Sequence, residues 1–138
     1  MKVIDVHTHI EAGIFLVPRA DSFLRDGVTT LVTGNCGTSR VDVANFFAAV
    51  TEARTGVNVA TLLGQGSIRG QVMGGSFLRP PTAEELGRMR DLVDQGMKEG
   101  ALGLSTGLIY LPGTFTKTEE LIDLARVAGR HGGLYVSH

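Results

Sequence analysis

The sequence predicts an α/β fold in which short parallel strands alternate with helices. Runs rich in β-branched and apolar residues recur between longer stretches whose apolar residues fall at helical spacing. Strands that are almost continuously apolar are typical of a parallel sheet covered by helices. A closed eight-stranded barrel of this kind takes roughly 200 to 250 residues, so this chain supplies only about four or five of its eight βα units. We therefore expect a single domain, residues 1–138, that forms part of a (β/α)8 barrel.

Five segments are predicted to be strands, and each is followed by a glycine or polar residue. They are residues 3–6, 29–33, 57–63, 101–105 and 133–137. Right-handed connections between parallel strands would bring their carboxyl ends to one edge of the sheet.

Helices are predicted between these strands. They cover residues 21–25, about 41–54, the stretch from Thr82 to Gly100, and the stretch from about residue 116 to the glycines at 132 and 133. The clearest start signal is Thr82 followed three residues later by Glu85, which is the pattern of a capping box.

Composition excludes several classes of partner. With 13 Lys and Arg against 14 Asp and Glu, the formal charge is −1, which argues against nucleic acid or an anionic membrane bound by bulk charge. A single cysteine cannot form an internal disulfide, so we expect a cytoplasmic protein. No apolar run is long enough for a signal peptide or a membrane span. The 19 glycines imply many tight turns.

Two histidines follow the first predicted strand at a spacing that suits a metal ion. His7 and His9 are two residues apart, and such side chains on a strand point to the same side. Two unrelated surface histidines would show the same spacing. Position favours a metal, because sites in parallel α/β folds lie at the carboxyl ends of strands.

Cys36 and His138 follow later strands at the same predicted edge. Cys36 lies in a turn of small residues beside Asn35, and a thiolate is a good zinc ligand alongside imidazoles. A lone cysteine is more often a small buried apolar residue, but the flanking glycines and Asn35 fit that alternative poorly. His138 is the last residue, where a frayed terminus is the alternative. His131, at the end of the last helix, is interpreted as structural or solvent-exposed.

Together these motifs resemble one family. Residues 5–9 (Asp-Val-His-Thr-His), 34–37 (Gly-Asn-Cys-Gly), 100–110 (Gly-Ala-Leu-Gly-Leu-Ser-Thr-Gly-Leu-Ile-Tyr) and 137–138 (Ser-His) occur in the family's order. Along essentially its whole length, the chain resembles the first half of the barrel of the N-acyl-D-amino-acid deacylases (D-aminoacylases) of the amidohydrolase superfamily.

The resemblance implies a zinc site and a reaction. His7 and His9 would be ligands of a first metal position, Cys36 and His138 ligands of a second, and Tyr110 would lie beside the substrate. The implied activity is zinc-dependent hydrolysis of the amide bond of small-molecule N-acyl-D-amino acids.

The chain also departs from the family pattern. Glu11 stands where the family has an aspartate, and Gln65 stands where it has a histidine. The chain stops at His138, before the family's further histidine ligand, its proton-shuttling aspartate and its carboxylate-binding arginine. Because the shuttle is absent, we expect the isolated chain to be inactive or weakly active.

Two other interpretations remain open. The chain could be a catalytically inactive metal-binding or structural half-barrel, whose open strand edges are covered by another copy or a complementary chain. It could also be a dihydroorotase-like cyclic amidohydrolase, which shares the His-x-His motif, although the Asn-Cys-Gly turn disfavours this. We expect a homo-oligomer or a complementary partner chain in either case.

Overall fold

A computed structural model describes residues 2–138 and shows strands and helices in alternation. The strands are β1 (Val3–Asp5), β2 (Val28–Thr33), β3 (Asn58–Thr61), β4 (Leu63–Gly64), β5 (Gly103–Thr106) and β6 (Leu134–Ser137). The helices are α1 (Gly13–Leu16), α2 (Asp21–Arg25), α3 (Val43–Glu52), α4 (Gln65–Met73), α5 (Ala83–Lys98) and α6 (Thr118–Arg130), with short 3-10 turns at Gly74–Ser76 and Gly113–Phe115. Every paired strand is parallel to its neighbour, which confirms the predicted α/β class.

The strands form an open layer. One ladder has the order β1-β2-β3 and the other β4-β5-β6. Only Leu62 separates β3 from β4, so the strand predicted over residues 57–63 is split in two. The Leu62 N–H donates to the Thr33 carbonyl at 2.9 Å, and the Leu102 N–H donates to the Thr61 carbonyl at 2.8 Å. The split segment therefore hydrogen-bonds β2 on one side and β5 on the other, and the ladders found within residues 2–138 do not close a barrel.

Two apolar clusters hold the helices against the strands. The larger joins β4 and β5 to α3, α4, α5 and α6 and includes Leu63, Leu104, Met89 and Leu124, all fully buried. The smaller, around Leu31, lies beneath α1 and the start of α2. Apolar side chains on the terminal strands remain exposed, including Ile4 on β1 and Leu134 on β6. The two ends of the layer are therefore its uncovered parts.

The start predicted for α5 is confirmed. Thr82 caps α5 with the predicted capping box, since its side chain accepts from the Glu85 N–H and the Glu85 side chain accepts in return from the Thr82 N–H. The start predicted for α6 is two residues early. Lys117 is the N-cap of α6 and makes no side-chain capping bond, since its ammonium group cannot accept one. The hydroxyl of Thr116 accepts from the Gln65 amide.

Two helices have no counterpart in the sequence predictions. α1 is a single turn within the segment that follows β1. α4 contains Gly66 and Gly70, which lower intrinsic helix propensity. A Cβ at Gly66 would meet the Gly37 carbonyl oxygen at 2.9 Å, so close tertiary packing explains a glycine that local propensity disfavours.

Among residues 2–138, every helix is too short or too polar to cross a lipid bilayer.

Candidate metal centre

The two histidines after β1 face the same side, as their spacing predicts. Beyond β1 the chain continues beside β2, where the Thr8 N–H donates to the Val32 carbonyl at 3.0 Å. The buried Thr8 hydroxyl donates to that same oxygen at 2.8 Å. His7 and His9 flank Thr8 on the opposite side, with their ring centroids 5.4 Å apart. Alternation along an extended segment therefore brings both imidazoles to one face.

The Cys36 sulfur lies at the centre of three imidazoles. Its Sγ is 3.2 Å from His7 Nε2, 3.6 Å from His9 Nε2 and 3.0 Å from His138 Nδ1. The three histidines come from the ends of β1 and β6, and Cys36 comes from the end of β2. All four residues singled out as metal ligands are thus brought together at the carboxyl edge of the strands.

His138 is held by the sheet. Its backbone N–H donates to the Thr106 carbonyl at 3.0 Å, which extends the β5–β6 ladder by one residue. The His138 ring also lies edge-on to Tyr110, with centroids 5.5 Å apart. The alternative of a frayed terminus is therefore wrong in this structure.

The protein environment disfavours the bare thiolate. Burial raises the pKa of the Cys36 thiol, and the nearby Glu11 carboxylate raises it further. Glu11 accepts a hydrogen bond from the Gly34 N–H at 2.8 Å, so this residue supports the turn before Cys36. A positive ion among the imidazoles would act in the opposite direction, because metal ions stabilise the deprotonated ligand.

The donor set fits zinc. In a tetrahedral site with Zn–S of about 2.3 Å and Zn–N of about 2.0 to 2.1 Å, sulfur and nitrogen lie about 3.5 Å apart. The three sulfur–nitrogen distances bracket that value. Ligand atoms of His7, Cys36 and His138 all lie within 4.8 Å of one another. His9 lies close to the sulfur but outside that mutual set, so the four donors do not surround a single point equally.

A cavity of about 220 Å³ opens beside the cluster. Cys36 and Tyr110 line it together with backbone-rich segments, namely residues 37–38, 66–67, 107 and 111–113. A larger cavity of about 390 Å³ lies near Phe15, Arg40 and Gln71 and shares no lining residue with this one. The cavity at the cluster is therefore the smaller of the two.

A buried charged network near α4 was missed by the sequence analysis. Arg69 is fully buried and forms an ion pair with the buried Glu120 of α6, and it donates further bonds to the carbonyls of Phe77 and Arg79. Gln65 donates to Glu120 at 2.9 Å and to Thr116 at 2.9 Å. Its own amide oxygen has no hydrogen-bond partner among the described residues. Nothing in the spacing of these residues along the chain signals the network.

His131 lies away from the cluster. At the C-cap of α6, it contacts Asp94 of α5 at 2.8 Å, and its side chain is 26% exposed. Lys98 and His131, in that order, lower the pKa of Asp94 to about 2. His131 therefore joins two helices and does not approach the sulfur.

No family model matches the chain. It is 34% identical to the D-aminoacylase of Alcaligenes xylosoxydans xylosoxydans over 98% of its own length and 32% of that protein. The N-acyl-D-glutamate deacylase of Bordetella bronchiseptica, solved with zinc and a phosphonate that mimics the tetrahedral intermediate, superposes with a TM-score of 0.93 at 34% identity. That match covers 98% of this chain and 33% of the solved one.

A structure of D-aminoacylase from work on its binuclear metal centre matches at TM-score 0.89 and 31% identity, over 97% of this chain and 33% of that one. Parallel strands with candidate ligands at their carboxyl ends correspond to part of an amidohydrolase (β/α)8 barrel. Within that class, the homologues that the chain matches are D-aminoacylases and N-acyl-D-amino-acid deacylases. It spans about a third of the length of the relatives it matches.

Proposed function

We propose that this chain supplies part of a zinc centre for hydrolysis of the amide bond of N-acyl-D-amino acids. One observation carries the proposal: the Cys36 sulfur lies within 3.6 Å of nitrogens from three imidazoles. A mixed set of sulfur and imidazole donors is typical of zinc sites. Relatives that bind zinc, or that have a binuclear metal centre, support the choice of metal.

His7 and His9 would hold one metal position, and Cys36 and His138 the second. The central place of the sulfur suits a ligand shared between the two positions. When bound, zinc supplies a water of lowered pKa and polarises the amide carbonyl. The products of hydrolysis would be a carboxylate and a D-amino acid.

Tyr110 would contact the substrate. The residue is 47% exposed and lines the cavity beside Cys36. Its backbone N–H donates to the Gly107 carbonyl at 3.0 Å, so the residue is held at the start of its loop. The phenol can therefore present a hydrogen-bonding group to a small molecule that enters from the open side.

The test measures bound zinc by elemental analysis of the purified chain. We expect about one zinc per chain in the parent. We expect much less in Cys36→Ser, because the substitution replaces the central sulfur ligand with a weaker hydroxyl. His131→Asn is the matched control, since His131 is a histidine outside the cluster, and it should keep the parent's zinc. A parent that binds no zinc, or a Cys36→Ser variant that keeps all of it, contradicts the proposed centre.

We further propose that β1 and β6 pair with another copy of this chain or with a complementary chain. Ile4 is 58% exposed on β1 and Leu134 is 59% exposed on β6, and unpaired strand edges with apolar side chains favour association. A stable monomer in sedimentation velocity at micromolar concentration would argue against this. In the alternative function, a purely structural half-barrel, association would occur without bound zinc.

A cytoplasmic location is also part of the proposal. The cluster needs Cys36 as a reduced thiol, and the cytoplasm keeps thiols reduced.

A further inference from the structure

A hydroxyl from a distant strand holds the turn that carries Cys36. Ser105 of β5 is fully buried, and its Oγ accepts from the Gly37 N–H at 3.1 Å. The same hydroxyl donates its hydrogen to the carbonyl oxygen of Gly34. These two backbone groups lie on either side of Cys36 in the chain. One side chain therefore joins both flanks of the turn to β5.

The turn needs such support because its backbone is strained. Cys36 has a φ of 56°, in the left-handed region that a residue with a Cβ rarely adopts. That conformation is unfavourable for an L-residue, and it persists only where the surroundings fix it. Loss of a fixing contact should let Cys36 relax toward ordinary backbone angles and move its sulfur.

Other hydrogen bonds of the turn each hold one flank of Cys36 or lie within the turn itself. Glu11 accepts from the Gly34 N–H at 2.8 Å, and the Asn35 side chain donates to the Val32 carbonyl at 3.1 Å. Both act on residues before Cys36. After it, the Ser67 N–H donates to the Gly37 carbonyl at 3.1 Å, and within the turn the Thr38 N–H donates to the Asn35 carbonyl at 3.1 Å. Ser105 differs from these contacts because one hydroxyl bonds both flanks of Cys36 and ties their separation to β5.

We propose that Ser105 is a positioning residue that sets the place of the Cys36 sulfur among the imidazoles. It does not touch the imidazoles or the sulfur by hydrogen bonding, and it acts through the backbone of the turn. The inference rests on the proposed metal centre for its functional meaning. Residues that orient metal ligands in this way typically change metal affinity about 10- to 100-fold when they are mutated.

The first experiment compares Ser105→Ala with the parent in metal-free protein. Cys36 is the only cysteine, so the rate of reaction with a disulfide reagent reports on that thiol alone. In the parent, Cys36 is 9% exposed, and we expect its thiol to react several-fold faster in Ser105→Ala. The matched control is Thr55→Val, which removes a hydroxyl that donates to the Val57 carbonyl at 2.9 Å, away from the turn. It should leave the rate unchanged.

The second measurement is zinc affinity by competition with a chromophoric chelator. We expect about a 10- to 100-fold weaker affinity in Ser105→Ala and the parent value in Thr55→Val. If the parent binds no zinc, the proposed function fails, and the thiol rates still test Ser105. A Ser105→Ala variant whose thiol reacts at the parent's rate overturns the inference.

If Ser105→Ala does not fold, the inference is tested on the parent protein instead. Hydrogen exchange at the Gly37 amide then decides, because this N–H donates to Ser105. Strong protection supports the inference, and exchange as fast as in an exposed loop overturns it.

Discussion

The glycines near Cys36 have no room for a side chain, whereas two glycines on the outer helices α5 and α6 face open space. Near the metal centre, a Cβ at Gly34 would lie 2.1 Å from the Leu62 carbonyl oxygen, and one at Gly107 would lie 2.2 Å from the Cys36 carbonyl oxygen. On α5 and α6, a Cβ at Gly87 or Gly129 would have no atom within 4 Å. The conformation of the turn around Cys36 therefore depends on backbone that is packed against backbone distant in the sequence. The conformation of α5 and α6 at these two glycines depends on local helix formation.

This difference explains how the turn of Cys36 keeps a strained conformation. Segments that approach so closely leave the backbone no room to relax, and the hydrogen bonds that the Gly34 and Gly37 N–H groups donate to Glu11 and Ser105 restrain the turn further. The outer helices have exposed ion pairs such as Lys98 with Asp94 instead, and exposed pairs contribute little to stability. The same substitution should therefore have opposite effects in the two regions.

The largest effect is expected for Gly107→Ala. The added methyl group would overlap the Cys36 carbonyl, and backbone cannot move aside as the end of a side chain can. We expect the free energy of unfolding to fall by about 3 kcal/mol, at the upper end for overpacking. Urea denaturation at pH 7, monitored by far-UV circular dichroism, measures the change.

Gly87→Ala is the matched change in α5 and should act in the opposite direction. Its Cβ would meet open space, and alanine has the higher helix propensity, so we expect a gain of up to about 1 kcal/mol. The comparison fails if the two substitutions destabilise the chain equally in the same denaturation experiment.

The same contrast separates what the sequence could predict from what it could not. α5 is predicted well because its signals are local: Thr82 starts it, Glu85 completes the capping box, and Gly100 follows its end. His7 and His9 are likewise predictable, since the alternation of side chains along an extended segment is a local property. Such features need no knowledge of the rest of the fold.

The features that could not be predicted from the sequence depend on long-range packing. Gly66 of α4 packs against the turn of Cys36, a contact that no local window of the sequence contains. The ion pair of Arg69 with Glu120 joins residues 51 positions apart. The pairing of Ser105 with the turn likewise joins β5 to residues about 70 positions earlier, and it was found only in three dimensions.

The most local effect, also much smaller than that of Gly107→Ala, is expected for Thr82→Ala at the start of α5. Its hydroxyl accepts from the Glu85 N–H at 3.2 Å, and loss of an N-cap side chain typically costs about 1 kcal/mol of unfolding free energy. Thr118→Ala is the control, because Thr118 is the exposed first residue of α6, whose N-cap makes no side-chain bond.

Both variants are measured by urea denaturation at pH 7, where Glu85 is ionised. Hydrogen bonds from Arg79 and the Thr82 backbone lower the pKa of Glu85 to about 2, so the capping box stays charged until the pH falls that far. Since the side chain of Thr82 hydrogen-bonds within α5 and not to the turn of Cys36, Thr82→Ala should leave the thiol reaction rate unchanged. A faster thiol in Thr82→Ala would mean that α5 and the turn of Cys36 are coupled, and the separation of the two regions would be wrong.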